Sequence, residues 1–292
     1  MTGLLLCLLA TTSYGSYQWW NEKHNWDGVT HWSRYMIISP GFMGPNALPV
    51  PEIHTGAIRQ GRSIEASYQR HFGGGDQTRN LFGRMFLPLF SERVGLNLEM
   101  VVVEHYRLDT LTRDLRKARN FDARGFSFGD LYIGTHIQLL EEDDRRPGLL
   151  LTLNLRTASG SNLDDARHTD NPGYHFDLSA GKSYHFPGKT ISEIRPFVLA
   201  GFYVWQLYRT NFQNDAFLYG AGVQAQVTDH LSVTNTLGGY VGYLNNGDRP
   251  MVYRLKLEHA RQNNTSLYVA FQHGIHDFPY NTFSFGYRYF FE

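Results

Sequence analysis

The sequence is nearly free of cysteine and has no long apolar run. Among its 292 residues the single cysteine, Cys7, lies in a short apolar stretch near the start. The rest of the chain therefore has no disulfide, no thiolate metal ligand and no cysteine nucleophile. A surplus of positive charge is also missing, since 27 basic side chains face 27 acidic ones. This balance gives no reason to expect nucleic acid as a partner.

Residues 1–15 resemble a secretory signal peptide. An apolar core over residues 4–10 is followed by small and polar residues that end at Gly15, as in a cleavable leader. A membrane anchor is the alternative, but this run is far shorter than the roughly 20 residues that span a bilayer. No later apolar run approaches that length. The exported chain is therefore either soluble or a β-barrel that crosses a membrane with its strands.

The sequence is rich in segments that alternate between two kinds of residue, which is the pattern of a β-strand with two different faces. In the final segment, TFSFGYRYFFE, every second residue from Phe283 is aromatic. In VYRLKLEHA, residues 252–260, one face is apolar and the other is charged. About twelve segments have close to the ~9–11 residues of a tilted membrane strand, or more. They lie near 63–72, 79–90, 94–102, 130–139, 149–157, 174–186, 194–208, 215–228, 230–243, 252–260, 265–276 and 282–291.

The connections between these segments differ in length in a regular way. If the first strand runs outward, both very long connections, residues 109–125 and 158–173, lie outside the cell. Outer-membrane barrels have long outer loops and short inner turns, whereas a soluble sandwich has no reason to separate them. We therefore predict an all-β fold over residues 62–292. It is a transmembrane antiparallel up-and-down β-barrel of about 12 strands, in the outer membrane of a Gram-negative bacterium.

Residues 16–61 have neither strand nor helix periodicity. They are rich in Trp, Pro and Gly, and this aromatic density argues against plain disorder. Two placements are open: the segment folds into the lumen as a plug, or it lies in the periplasm. The predicted strand over 194–208 is apolar on both faces, which indicates a wall that packs against something inside the barrel.

Residues 147–205 carry a family resemblance. An apolar alternating strand is followed by a turn with Ser159-Gly160, a polar loop, and a strand ending in Gly-Lys-Ser. This layout resembles the outer-membrane barrels grouped as phenol-degradation meta-pathway transporters, in which Thr-Gly often stands at the turn. The resemblance implies passage of small molecules, hydrophobic ones included, across the outer membrane. It assigns no functional residue.

The polar faces of the predicted strands indicate a charged lumen. One interpretation is a network of salt bridges that stabilises a narrow interior, and the other is a selectivity lining. About twelve strands lie between the ~8 of a filled barrel and the 16–18 of an open porin, so we expect a narrow or gated pore. The predicted pore-lining residues are Glu65, Arg84, Glu99, His105, Asp130, His136, Arg156, Arg254, Lys256, Glu258 and Arg288.

Enzymatic activity is not predicted, but one alternative is a phospholipase-like lipid hydrolase. His175, Asp177 and Ser179 share one face of a predicted strand, and these residue types are those of a nucleophilic hydrolase. Residues at i and i+2 of a strand lie ~6.5–7 Å apart, which is too far for direct contact between Ser and His. A third interpretation is a structural barrel whose long loops bind a partner.

The long loops and the last strand suggest further partners. Asp164, Asp165 and Asp170 are candidate calcium ligands, although a solvated loop explains them as well and the EF-hand spacing is absent. We predict no cofactor. The arginine-rich loop over 109–125 either pairs with lipopolysaccharide phosphates or folds inward. We expect membrane lipid and lipopolysaccharide, a small-molecule solute, and the barrel-assembly machinery as partners, the last through the C-terminal strand.

Overall fold

The computed structural model describes residues 17–207, 212–261 and 264–292. The predicted leader over 1–15 lies outside them. Twelve long antiparallel strands dominate the described chain. They are β1 (Arg62–Gly73), β2 (Asp76–Leu89), β3 (Ser91–Leu108), β5 (Tyr132–Leu140), β6 (Gly148–Arg156), β7 (Gly173–Gly181), β9 (Glu193–Gln206), β10 (Gln213–Thr228), β11 (Leu231–Gly242), β12 (Met251–Arg261), β13 (Thr265–His276) and β14 (Asn281–Phe291).

These strands form one closed barrel, as the sequence predicts. Each pairs with the next long strand along the chain, and β1 pairs with β14 over eleven residue pairs to close the wall. Two short strands extend the wall locally, β4 (Arg124–Ser127) beside β3 and β8 (Tyr184–His185) beside β9. The helices are short: α1 (Gln18–Lys23), α2 (Thr110–Arg116) and two 3₁₀ turns, Trp32–Tyr35 and Leu163–Asp165. No helix in the described residues is long and apolar enough to cross a membrane.

The two faces of the wall differ as the alternation predicts. In β14, Phe283, Phe285 and Tyr287 lie on the outside, and Phe285 is 55% exposed. Arg288 points inward and donates a hydrogen bond to Glu65. Large exposed apolar residues recur on the outer faces of the other strands. A soluble protein rarely exposes so much apolar surface, whereas an outer-membrane barrel presents it to lipid.

Successive connections lie at opposite ends of the barrel. The two longest, residues 109–131 and 157–172, lie at the same end, which we call the long-loop end. The opposite end, where residues 141–147 and 182–192 connect strands, is the short-turn end. By the usual asymmetry of outer-membrane barrels, the long-loop end faces the outside of the cell.

Residues 36–58, which we call the luminal segment, contact inward-pointing side chains from several sides of the wall. Trp205 of β9, Tyr240 of β11 and Arg254 of β12 donate hydrogen bonds to carbonyl oxygens of this segment. On the other side of the wall, Gln138 of β5 accepts a hydrogen bond from the backbone N–H of Ile58. These contacts come from strands that lie far apart in the sheet order.

The main hydrophobic core lies between the luminal segment and the wall. Met36, Ile38, Met43, Leu48, Val50 and Ile53 are buried against apolar residues that include Phe197 and Leu199 of β9. This packing explains why β9 is apolar on both faces. Full burial of one such side chain contributes about 1.5–3 kcal/mol. The segment is therefore a stable part of the fold.

Candidate functional site

A cavity of about 300 Å³ remains beside the luminal segment. It lies mainly between the segment and the inner faces of β1, β2, β3, β12, β13 and β14, and it also reaches side chains of β5, β6, β7 and β9. Its volume is at the lower end of the range for sites that bind small molecules. Charged side chains of the inner wall line the cavity.

Arg84 of β2 is the centre of a charged network in this cavity. Its guanidinium lies 2.8 Å from Glu99 of β3 and 3.0 Å from Glu52 of the luminal segment. Arg59, just after the segment, lies 2.9 Å from the same Glu52 carboxylate. The luminal segment thus supplies an acidic group that joins the network of the wall.

A second part of the network lies on β12, β14 and β1. Arg288 is 2.8 Å from both Glu65 and Glu258, and Lys256 is 2.5 Å from Glu258. Arg254 differs from these, because it donates to Gln272 and to backbone carbonyls of the luminal segment. Both signs of charge therefore line the cavity, and most of the charged groups have a partner of opposite sign.

Glu52 and Lys256 keep accessible surface within the cavity. The side chain of Glu52 is 43% exposed and that of Lys256 is 27% exposed. At the long-loop end, in contrast, the side chains of Asp76, Glu104 and Arg167 are fully buried. Accessible surface therefore remains around the charged network, whereas these groups at the long-loop end have none.

The group that closes the long-loop end, which we call the closing cluster, consists of Asp76, Glu104, Arg116 and Arg167. Arg167, from loop 157–172, donates to Glu104 and to Asp76 at 2.7 Å each. Arg116, from helix α2 of loop 109–131, donates to Asp76 at 2.7 Å. Charge-assisted bonds of this length are the strong ones among hydrogen bonds. Both long loops are thereby fixed inside the barrel mouth.

His168 follows Arg167 in the same loop and is also buried. Its Nε2 lies 3.8 Å from Glu104, and neither ring nitrogen has a hydrogen-bond partner among the described residues. Burial lowers the pKa of His168 to about 4, since the charged imidazolium is poorly solvated there. The ring is therefore neutral at pH 7.

The structure brings six of the predicted pore-lining residues into the charged network. These are Glu65, Arg84, Glu99, Lys256, Glu258 and Arg288. Arg254, Asp130 and His136 line the cavity but form no ion pair within the described part of the chain, and the His136 ring packs on His54. Arg156 instead donates a hydrogen bond to the carbonyl oxygen of Ala47 in the luminal segment.

The predicted inward orientation of His105 is wrong. The pairing of β2 with β3 shifts register between Leu81 and Phe82, which leaves Val102 as an extra residue. This bulge reverses the alternation beyond it. Glu104 points inward and is fully buried, while the His105 ring packs on Phe126, an exposed residue of β4.

The structure does not assemble the hydrolase alternative. His175, Asp177 and Ser179 all point inward and are buried, but the His175 ring packs on Tyr203 of β9. Among the described residues, the hydroxyl of Ser179 has no hydrogen-bond partner, and no hydrogen bond joins His175, Asp177 and Ser179 to one another. The contact between nucleophile and base that this chemistry requires is therefore missing.

The candidate calcium ligands lie in different environments. Asp165 is buried and accepts hydrogen bonds from Tyr106 and Asn120, whereas Asp170 is exposed. Within the part of the chain that the structure describes, no group of three or more His, Cys, Asp or Glu side chains is arranged to hold a metal ion.

Sequence reasoning missed the groups that lie outside strands. Glu52 and Arg59 enter the network from an irregular segment, and Arg116 and Arg167 enter the closing cluster from loops. The alternation of inward and outward positions along a strand carries no information about such residues. For Glu52 and Arg59 the available signal was isolated charges in a segment otherwise rich in apolar residues, proline and glycine. For Arg116 it was the possibility that the arginine-rich loop folds inward.

Comparisons with known proteins support the fold. No known family and no curated protein matches the sequence. Among solved structures, the COG4313 outer membrane channel from Pseudomonas putida F1 is similar with a TM-score of 0.56 and 13% identity, over 83% of this chain and 100% of that one. The NanC porin has a TM-score of 0.49 and 8% identity, over 78% and 100% of the two chains. The KdgM porin in complex with disordered oligogalacturonate has a TM-score of 0.48 and 12% identity, over 79% of this chain and 99% of that one. The chain has the fold of an outer-membrane β-barrel.

Proposed function

We propose that this protein is an outer-membrane channel for small polar solutes, with a narrow path between the luminal segment and one side of the wall. The observation that carries the proposal is the cavity of about 300 Å³ with its charged lining. A filled structural barrel would have no such space. The charged lining favours polar solutes over the hydrophobic ones that the resemblance to meta-pathway transporters implies.

In this proposal the luminal segment is a fixed plug that narrows the pore. Its apolar side chains are buried in the main core, so its withdrawal would expose several of them at about 1.5–3 kcal/mol each. The closing cluster is the gate, because it is polar and is held by loops. If the loops separate, water can solvate its charges. Opening therefore moves loops 109–131 and 157–172 and leaves the segment in place.

Conductance of single proteins in planar lipid bilayers tests the gate. We expect rare, small openings for the wild type, and more frequent openings for Arg167→Ala, which removes the bonds from loop 157–172 to Asp76 and Glu104. Arg124→Ala is the matched control, since Arg124 lies in loop 109–131 with an exposed side chain. The proposal fails if neither the wild type nor Arg167→Ala conducts ions or lets small sugars enter liposomes.

Ion selectivity tests the lining. Lys256→Gln removes a cation from the cavity and should shift the reversal potential in a salt gradient toward cation preference. Glu52→Gln removes an anion and should shift it toward anion preference. Both side chains line the cavity, so a path through the cavity passes them. Equal reversal potentials for the two variants and the wild type would place the conducting path elsewhere.

The proposal includes the route to the membrane. We propose that residues 1–15 are a leader and that β14 is the strand read by the barrel-assembly machinery. The regular aromatic face of β14, which ends at Phe291, supports this role. Replacing Phe291 by Ala should lower the yield of folded barrel in cells more than it lowers the yield of refolding in detergent. Equal losses in the two settings would indicate a structural role alone.

A further inference from the structure

The luminal segment crosses the whole barrel from one end to the other. At the long-loop end, the N–H of Gly41 donates to Gly247 at 3.0 Å, and that of Gly44 donates to Ala166 at 2.7 Å. These partners belong to connections 243–250 and 157–172. At the short-turn end, Gly56 lies against Gly148 and Gly181. The chain therefore enters the lumen at the long-loop end and leaves it where β1 begins.

Residues 17–35, which we call the amino-terminal cap, precede this crossing and pack on a long loop. Trp20 is fully buried, and its Nε1–H donates to the carbonyl oxygen of Lys117 at 2.8 Å. Lys23 lies 2.7 Å from Asp114 of helix α2. Lys117 and Asp114 both belong to loop 109–131, so the cap lies over the long-loop end of the barrel.

The ring of Tyr17 and the guanidinium of Arg119 add to this attachment. The guanidinium carbon of Arg119 lies 3.7 Å from the centroid of the Tyr17 ring and 5.0 Å from that of Trp32. Arg119 belongs to loop 109–131, whereas Tyr17 and Trp32 belong to the cap. A guanidinium over the face of an aromatic ring is attracted to it electrostatically. The cap is thus held by several independent contacts.

We infer that the amino-terminal cap is displayed on the outer surface of the outer membrane, and that the chain returns through its own barrel to begin β1 in the periplasm. The long-loop end faces outward in barrels of this type, and the cap is bound to that end. The amino-terminal end of the chain does not have to pass through a barrel that has already closed. Because β1 and β14 form the closing seam, the wall can close around the luminal segment.

This inference does not depend on the proposed channel function. It concerns the side of the membrane on which the cap lies, whether or not solutes pass. Its consequence is that the cap residues are accessible from outside the cell, and Val29 is 88% exposed there. A periplasmic cap would require the buried Met43 and Leu48 to leave the core or the loops to release Trp20.

Cysteine labelling on intact cells tests the inference. In a Cys7→Ser background, single cysteines are introduced by Val29→Cys in the cap, Asp170→Cys in loop 157–172 and Asp144→Cys in the short turn 141–147. All three positions are exposed. We expect a membrane-impermeant maleimide to label Val29→Cys and Asp170→Cys equally on intact cells. Asp144→Cys should be labelled only after the outer membrane is permeabilised.

A second cap position protects the test against a misfolded variant. Glu22→Cys, at an exposed site of helix α1, should behave like Val29→Cys, and heat-modifiable migration on gels identifies the folded barrels. The inference is overturned if folded Val29→Cys and Glu22→Cys are labelled only after permeabilisation while Asp170→Cys is labelled on intact cells. It is also overturned if Asp144→Cys, rather than Asp170→Cys, is labelled on intact cells. Neither result affects the conductance experiment.

Discussion

Arg167 Nη1 lies 2.7 Å from Asp76 Oδ2, and both side chains are fully buried although 91 residues separate them in the sequence. Asp76 is the first residue of β2, and Arg167 lies in the loop between β6 and β7. The same guanidinium contacts Glu104 of β3. The loop that connects β6 and β7 is thereby joined to the mouth of the β2–β3 wall.

The first prediction concerns the stability that this pair contributes. Arg167→Met leaves Glu104 buried without its cation and Asp76 with Arg116 alone, so we expect unfolding to require about 3–5 kcal/mol less. Denaturant titration of the barrel in lipid vesicles measures this difference. Arg124→Met is the control, because the exposed Arg124 lies 3.9 Å from its partner Asp122, and the change should stay within about 0.5 kcal/mol. Equal effects of the two substitutions would contradict the prediction.

The second prediction concerns pH and His168. The pKa of His168 is lowered by burial from 6.5 to about 4, so between these values the unfolded chain binds more protons than the folded one. The contribution of His168 to the free energy of unfolding therefore decreases as the pH falls from 6.5 to about 4. We expect the wild type to lose stability relative to His168→Asn over this window. Titration of both proteins with denaturant at several pH values measures the difference, and a constant difference would contradict it.

The third prediction concerns the lipid-facing belt. Phe285 lies near the middle of β14 and is 55% exposed, so an arginine there would lie near the bilayer midplane. We expect Phe285→Arg to cost about 2–4 kcal/mol of stability in vesicles. Leu111→Arg is the control, since Leu111 is exposed on helix α2 of a long loop, and it should change stability by less than about 0.5 kcal/mol. A neutral effect of Phe285→Arg would argue that this face is not in lipid.

Much of the wall could be predicted because its physics is local and periodic. A strand with one face in lipid and the other in a polar lumen must alternate, so the sequence of β14 alone places Phe285 outside and Arg288 inside. The exception, His105, follows from a single bulged residue. A bulge depends on how two strands pair, so the position of the extra residue could not be read from the alternation of one strand alone.

The closing cluster and the luminal segment could not be predicted in this way. Arg167 is recognisable as a gate residue only when loop 157–172 is placed against Asp76. The direction in which residues 36–58 cross the lumen depends on contacts such as that of Gly44 with Ala166. Such contacts are long-range and have no period. The apolar inner face of β9 did predict a packing partner inside the barrel. It did not predict at which end of the barrel the luminal segment enters.

The last prediction tests the close fit of the luminal segment against the wall. Gly56 has φ +80°, and a Cβ atom there would lie 2.4 Å from the backbone N of Gly181 and 2.9 Å from the carbonyl O of Gly148. Gly61 has φ +72°, and a Cβ atom there would meet nothing within 4 Å. Because alanine is strained at both positive φ values, the difference between the two substitutions isolates the steric fit. We expect Gly56→Ala to destabilise by about 1–3 kcal/mol more than Gly61→Ala, as overpacking of a close contact does.

Unfolding in vesicles measures both variants of this pair, and the comparison separates two positions of the segment. If residues 36–58 lay outside the lumen, Gly56 would have open space like Gly61, and the two alanine variants would have equal stability. A larger loss for Gly56→Ala requires backbone within reach at Gly181 of β7 and Gly148 of β6. Because these two strands are adjacent and their glycines face the lumen at the short-turn end, the contact fixes where the segment leaves the barrel.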